Sequence, residues 1–351
     1  MISSALPISS RSFIRHPAAR LIHRLLLYKA PPVTGALCIL LLLQACAASS
    51  PYRELDSLPI APAAELSEIP FYPQEAYQCG PAALATVVGQ AGVDVSPETL
   101  QPLVYLPGRK GSLQFEMLAT PARYGLLGVQ IKPSMQALFE LVSSGYPVLV
   151  LQNLGLESLP VWHYAVVIGY NLERRRVLLR SGLDPKVSYR FGRFEKTWAR
   201  ADHWAMVVVS PGEVPIAVEP LAYLQAANVL ERLQRYPSAR RAYLAAADHW
   251  PDNALAWAGA GNSAFALGAF AAADAAYRRA LELDPDNVLL LNNLAVALGE
   301  QGCRAEALAA VDCALRQQPD NPVLETTAEE IRQSTARQSD CRHFSCPGTT
   351  P

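Results

Sequence analysis

Pro-Asp-Asn occurs three times in this 351-residue chain, as Pro251-Asp252-Asn253, Pro285-Asp286-Asn287 and Pro319-Asp320-Asn321, and both intervals are 34 residues. A fixed period constrains a fold more tightly than composition does. A unit of this length has room for two helices and their turns, but cannot bury its own apolar face, so successive units must stack. The unit 254–287 carries Trp257, Gly261, Gly268, Ala273, Tyr277, Ala280 and Pro285. Small Gly261, Ala273 and Ala280 let paired helices approach, and Trp257 and Tyr277 fill the space between them.

The period and these positions resemble the tetratricopeptide repeat. Looser units flank the central one, through Tyr223, Ala227, Ala239, Tyr243 and Ala246 before it and Leu291, Ala295, Gly302, Ala307 and Ala314 after it. Leu324–Ser334 is expected as a capping helix. Region 218–335 is thus read as an all-α solenoid whose concave side takes a peptide or protein partner, with a dimerising or stabilising module as the alternative. Asn292 and Asn293 are expected on a groove-lining helix.

Residues 1–45 hold five basic side chains (Arg11, Arg15, Arg20, Arg24, Lys29) and no acidic one. An apolar run, Val33–Leu43, follows, too short for a permanent span. Basic segment, apolar segment and small residue are read as a signal peptide, with an uncleaved membrane anchor as the alternative. Leu43-Gln44-Ala45-Cys46 resembles the bacterial lipoprotein box, which implies lipidation of Cys46, a membrane anchor and, with no Asp after Cys46, the periplasmic face of the outer membrane. Residues 46–66 read as a tether. The net charge of −1 and the lack of a basic, aromatic-interleaved patch give nucleic-acid binding no support.

Between tether and repeats, 67–212, helical patterns come first and Val/Ile/Leu/Tyr-rich strands second, an α+β order. Helices are expected from Cys79 to about Gly92, from Ser96-Pro97, over Ser112–Tyr124 and over Ser134–Ser144. Strands are expected at Gly128–Ile131, Pro147–Gln152, His163–Tyr170, Arg176–Ser181, Val187–Phe191 and Ala205–Ser210. Cys79 stands in Gln78-Cys79-Gly80-Pro81 at a helix start, where free N–H groups and the helix dipole favour thiolate. His163, one of two histidines in this region with His203, opens a strand that ends in Gly169-Tyr170. A thiol and an imidazole are the minimal pair for thiol catalysis: the ring takes the thiol proton and returns it to the leaving amine.

Gln74, Cys79-Gly80-Pro81-Ala82-Ala83-Leu84, Pro107-Gly108-Arg109-Lys110-Gly111 and His163-Tyr164-Ala165-Val166-Val167-Ile168-Gly169-Tyr170, in this order, resemble the bacteriocin-processing, double-glycine leader peptidases, a papain-like family. The resemblance implies a papain-like α+β domain followed by the tetratricopeptide solenoid. It implies Cys79 as nucleophile, His163 as base and acid, and Gln74 as oxyanion donor with Gln78 as second choice. It also implies cleavage after two small residues. The family has Asp after the histidine hairpin; here Ser181 takes that place, and Asp184-Pro185 lies three residues on. Asp184, Ser181, and a backbone carbonyl or no third member at all stand as the alternatives. The competing readings are an inactive, peptide-binding adaptor and a related acyl- or glutamine-transfer chemistry.

No cofactor and no metal is expected. Of seven cysteines, Cys303, Cys313, Cys341 and Cys346 form an even set that suggests disulfides in an oxidising compartment. A short Cys341–Cys346 loop is expected in a disordered tail, 336–351.

Overall fold

A computed structural model describes residues 52–73, 78–109, 111–335 and 341–346. Cys46 and Gln74 lie outside them. By contacts the chain divides into residues 1–54 and 55–351, and the elements of interest lie in the second unit.

Its first part is a seven-stranded antiparallel sheet in the order β4-β9-β5-β6-β7-β8, with β1 on β6. The strands are β1 (Ala63–Glu65), β4 (Leu127–Gln130), β5 (Val148–Asn153), β6 (Trp162–Asn171), β7 (Arg176–Ser181), β8 (Asp184–Arg190) and β9 (Ala205–Val209); β2 (Tyr105–Leu106) and β3 (Gly111–Ser112) form a separate pair. Strands β5, β6 and β9 are almost wholly buried, as their continuous apolar runs require.

Helix α1 (Cys79–Gln90) buries Leu84, Val87 and Val88 against Tyr164, Val166 and Ile168 of β6. Helices α2 (Pro97–Val104) and α3 (Gln114–Ala119) follow. Ser96 caps α2 by accepting from the Thr99 N–H at 3.3 Å. Helices α4 (Met135–Ser143) and α5 (Phe191–Ala199) hold the aromatic side of the core, where Phe139 stacks on Tyr170 and meets Phe191 at a tilt.

Three local expectations differ. The tether expected over 46–66 is in its last residues part of the sheet: Ala63–Glu65 pair with Asn171–Gly169. Ser112 does not open a helix. It belongs to β3, and Leu113 stands at the N-cap without a side-chain bond. After β8 the chain turns into α5, which the charges Arg193, Glu195 and Lys196 conceal; its signal is Phe191, Phe194 and Trp198, all buried and spaced for one helix face.

Seven helices follow: α6 (Pro220–Arg232), α7 (Tyr236–His249), α8 (Ala254–Ala266), α9 (Phe270–Leu283), α10 (Val288–Glu300), α11 (Arg304–Gln317) and α12 (Pro322–Gln333). Asn253, Asn287 and Asn321 of the Pro-Asp-Asn motifs cap α8, α10 and α12. A Cβ on Gly261 would fall 2.5 Å from the Tyr277 ring, so the helices approach through glycine. The first helices lean on the sheet domain: Arg235 donates to the Arg123 carbonyl at 2.9 Å, and Lys132 pairs with Glu219 at 2.7 Å.

The cysteines pair as Cys303–Cys341 and Cys313–Cys346, not as a Cys341–Cys346 loop. Ten helical residues separate Cys303 from Cys313, about 15 Å, too far for those two to join. Five extended residues from 341 to 346 reach roughly 17 Å, so the tail can run beside α11 and pair at both ends. This part of the expected disordered tail is therefore docked: Phe344 is buried, and Arg278 donates to the carbonyls of His343 and Arg342 at 2.9 Å each.

Candidate active site

Cys79 is the first residue of α1 and a free thiol. It packs against the core cluster that holds Tyr164, and a Cβ on Gly80 would lie 3.6 Å from the Tyr164 ring. Tyr164 directly follows His163, so the start of α1 meets the start of β6. Gly80 is required at this contact, because a Cβ there would collide with the Ser112 side chain. Tyr164 donates its hydroxyl to the Ser112 carbonyl at 3.1 Å, tying β3 to the same point.

Burial pushes the Cys79 thiol above its ordinary pKa, although the N–H groups of Tyr164 and Gly80 pull it down. Dipole and N–H groups at the helix start were expected to favour thiolate; desolvation outweighs them. Burial also lowers the pKa of His163. Both groups therefore rest neutral near pH 7.

His163 Nε2 lies 2.8 Å from Ser181 Oγ. Ser181 ends β7, and Gly182 in the left-handed region, with Leu183, turns the chain back into β8. Asp184 opens β8 opposite Ser181, exposed, and no hydrogen bond among the described residues joins it to His163. Of the two candidates for the third position, the fold thus brings Ser181 to the imidazole and leaves Asp184 in solvent. Gln78 is the residue before α1 and makes no side-chain capping bond. His203 is engaged elsewhere, with Glu195 at 2.7 Å.

Two residues of the site's frame escaped the sequence reading. Gln152 is directly opposite His163 on β5, buried, with Nε2 on Thr197 Oγ1 at 2.6 Å and Oε1 without a partner among the described residues. Asn153 next to it is buried and accepts at Oδ1 from the N–H groups of Gly155 and Val161, at 2.9 Å each. The visible signal was two amides closing an otherwise apolar strand, Val148-Leu149-Val150-Leu151-Gln152-Asn153.

Residues 66–206 match the Peptidase_C39 like family, and residues 261–302 match the TPR repeat. The first domain is a C39-like peptidase domain. Among solved structures, a putative C39-like peptidase from Bacillus anthracis is similar at 19% identity and TM-score 0.36, over 42% of this chain and 97% of that one. The repeats are similar to the Arabidopsis OM64 TPR domain, at 20% identity and TM-score 0.31 over 32% of this chain and 94% of that one. The second TPR domain of human RPAP3, in complex with an HSP70 peptide, is similar at 18% identity and TM-score 0.32, over 33% and 96%. No curated protein matches the chain. The C39-like domain here is joined to repeats that pack on it through Arg235 and Glu219.

Proposed function

We propose that the chain is a cysteine peptidase in which Cys79 attacks a peptide carbonyl and His163 is base and then acid. The observation that carries this reading is the packing of the Cys79 helix start on Tyr164, the residue after His163, with Ser181 Oγ 2.8 Å from His163 Nε2. In this reading Nδ1 of the neutral ring takes the thiol proton as the C–S bond forms, while Nε2–H donates to Ser181 Oγ and fixes the tautomer. The tetrahedral oxyanion is received by the Cys79 N–H and by an amide upstream, Gln74 or Gln78. Collapse expels the amine, which takes the proton from His163, and water then releases the acyl group. Digestion of a mixed peptide pool by the wild type, with products absent for Cys79→Ser, is the expected outcome; an unchanged pool would contradict it.

One observation favours a second reading, an inactive peptide-binding adaptor. Ser181 is neutral and cannot stabilise imidazolium as a carboxylate does. The same digestion separates the two.

The repeats, in this proposal, hold the substrate or a partner protein. Support comes from Leu221, Leu255, Leu289 and Val323, which recur every 34 residues and are each more than 60% exposed. Leu221, Leu255 and Leu289 line a cavity of about 640 Å³ with Asn228, Asn262 and Phe115, the last from α3 of the peptidase domain. The proposed address is the cell envelope, anchored through lipid on Cys46 at the periplasmic face of the outer membrane. Two disulfides favour an oxidising compartment. Release of Cys46→Ala from the membrane fraction is expected; its retention there would count against the anchor.

A further inference from the structure

Two hairpin tips leave the sheet at the His163–Ser181 pair. The β5–β6 connection, 154–161, ends at Trp162, directly before His163; the β7–β8 turn, Gly182-Leu183, begins directly after Ser181. Both tips are apolar and open to solvent. Leu156 is 62% exposed, Leu159 72%, Val161 56%, Trp162 54% and Leu183 71%.

The longer tip is not a loose loop. Leu154 N–H donates to the Val161 carbonyl at 2.9 Å, and Leu156 and Leu159 exchange backbone bonds at 3.2 Å. Buried Asn153 holds Gly155 and Val161 from inside, and Arg200 donates to the carbonyls of Asn153 and Gly155. A Cβ on Gly155 would collide with the Leu159 carbonyl, so glycine lets the tip close. Its leucines are therefore presented in fixed positions, with little ordering entropy left to lose on contact. Asp184 and Glu157 are the acidic groups on the two tips, and no basic side chain stands between 154 and 163. The basic groups nearest the tips are engaged within the fold, Arg200 on the Asn153 and Gly155 carbonyls, Arg180 on the Pro185 carbonyl and Lys186 on Glu65, so the charge the tips themselves present is acidic.

Reaction chemistry decides which part of a substrate meets this wall. His163 must reach the leaving nitrogen to protonate it, so groups flanking His163 contact the residues that follow the scissile bond. We propose that the two tips form a preorganised apolar wall for the leaving half of the peptide, selecting a bulky apolar residue directly after the cleaved bond. This rests on the peptidase reading above.

Acyl transfer tests it without a known substrate. Cys79 attacks p-nitrophenyl acetate, the S–C(O) bond forms, and p-nitrophenolate leaves in a burst. The thioester then partitions between water and an added amine. The amine nitrogen forms the new C–N bond, its proton passes to His163, and the thiolate of the departing Cys79 is reprotonated, giving N-acetyl amide and free enzyme. Partition is read per acyl-enzyme, so it is independent of acylation rate. Leucinamide and phenylalaninamide are expected to capture the acetyl group about tenfold better than glycinamide, the gain for covering one such side chain. Leu159→Gln and, on the other tip, Leu183→Gln, both at exposed positions, are expected to reduce that preference at least threefold. Equal capture of leucinamide and glycinamide by a bursting enzyme would overturn the wall. So would a preference untouched in both variants. An absent burst at Cys79 would instead remove the peptidase reading, and this proposal with it. Two further arms name other occupants. Sedimentation with phosphatidylethanolamine–phosphatidylglycerol vesicles that depends on Leu159, with flat amine capture, would assign the tips to a lipid surface. A concentration-dependent dimer lost in Leu159→Gln, with flat capture, would assign them to a second copy. Either result overturns the proposal.

Discussion

A half-buried thiol at the start of α1 and a half-buried imidazole at the start of β6 set what each residue at the site must do. Cys79 is protonated at neutral pH because desolvation raises its pKa, and His163 is neutral because desolvation lowers its own. The proposed mechanism needs neutral His163. Its lowered pKa keeps the ring unprotonated somewhat below the ordinary value of 6.5, so the acid limb of kcat/KM is expected below pH 6.5; a limb above that value would speak against this burial. Ser181→Ala removes a neutral hydrogen bond, worth roughly 0.5–1.5 kcal/mol, and should lower kcat about 2- to 12-fold. Ser181→Asp places a carboxylate on Nε2, favours imidazolium, and should move the acid limb to higher pH. An unmoved limb in that variant would show that Ser181 does not face the working ring. The pair Cys79 and His163 could be read in the sequence from their local contexts. The choice between Ser181 and Asp184 could not, since three residues of chain hide a two-residue turn that reverses direction.

Elements place these residues by contact that sequence periodicity does not reveal. Helix α1 was legible from its apolar run, and β7 from its Val and Leu content. Helix α5 was not, because its buried Phe191, Phe194 and Trp198 are separated by charged residues. Gly80 shows how closely α1 and β3 approach, and Gly80→Ala should cost 1–3 kcal/mol or so by displacing Ser112 beside the thiol. Urea titration would read this as a lower midpoint; an unchanged midpoint would mean that Ser112 yields freely. In the repeats, Pro-Asp-Asn marked the helix starts because Asn253, Asn287 and Asn321 cap them. Gly261→Ala drives a methyl into the Tyr277 ring and is expected to lower the repeats' stability by a similar amount, about 1–3 kcal/mol.

At the scale of the molecule, peptidase domain and repeats form one compact unit, joined at α6, β4 and Arg235. Two disulfides close spans of 38 and 33 residues and hold the tail on α11. Loop-closure entropy gives each on the order of 4 kcal/mol. Reduction should therefore raise hydrogen exchange in α10–α12 first and leave β5–β7 protected; equal loss in both would contradict a local staple. Cysteine number pointed to disulfides, but the pairing depends on the rise of α11, the reach of the tail and the direction in which the tail runs along the helix, and none of these can be read before the helix is placed. The central claim is that His163 activates Cys79, and the pH-dependent rate of iodoacetamide labelling at Cys79 tests it most directly. Because burial raises the thiol pKa, Cys79 left to itself should react more slowly than a free thiol at pH 7. Labelling at least tenfold slower in His163→Ala than in the wild type is the predicted result; equal rates in the two proteins would contradict the account.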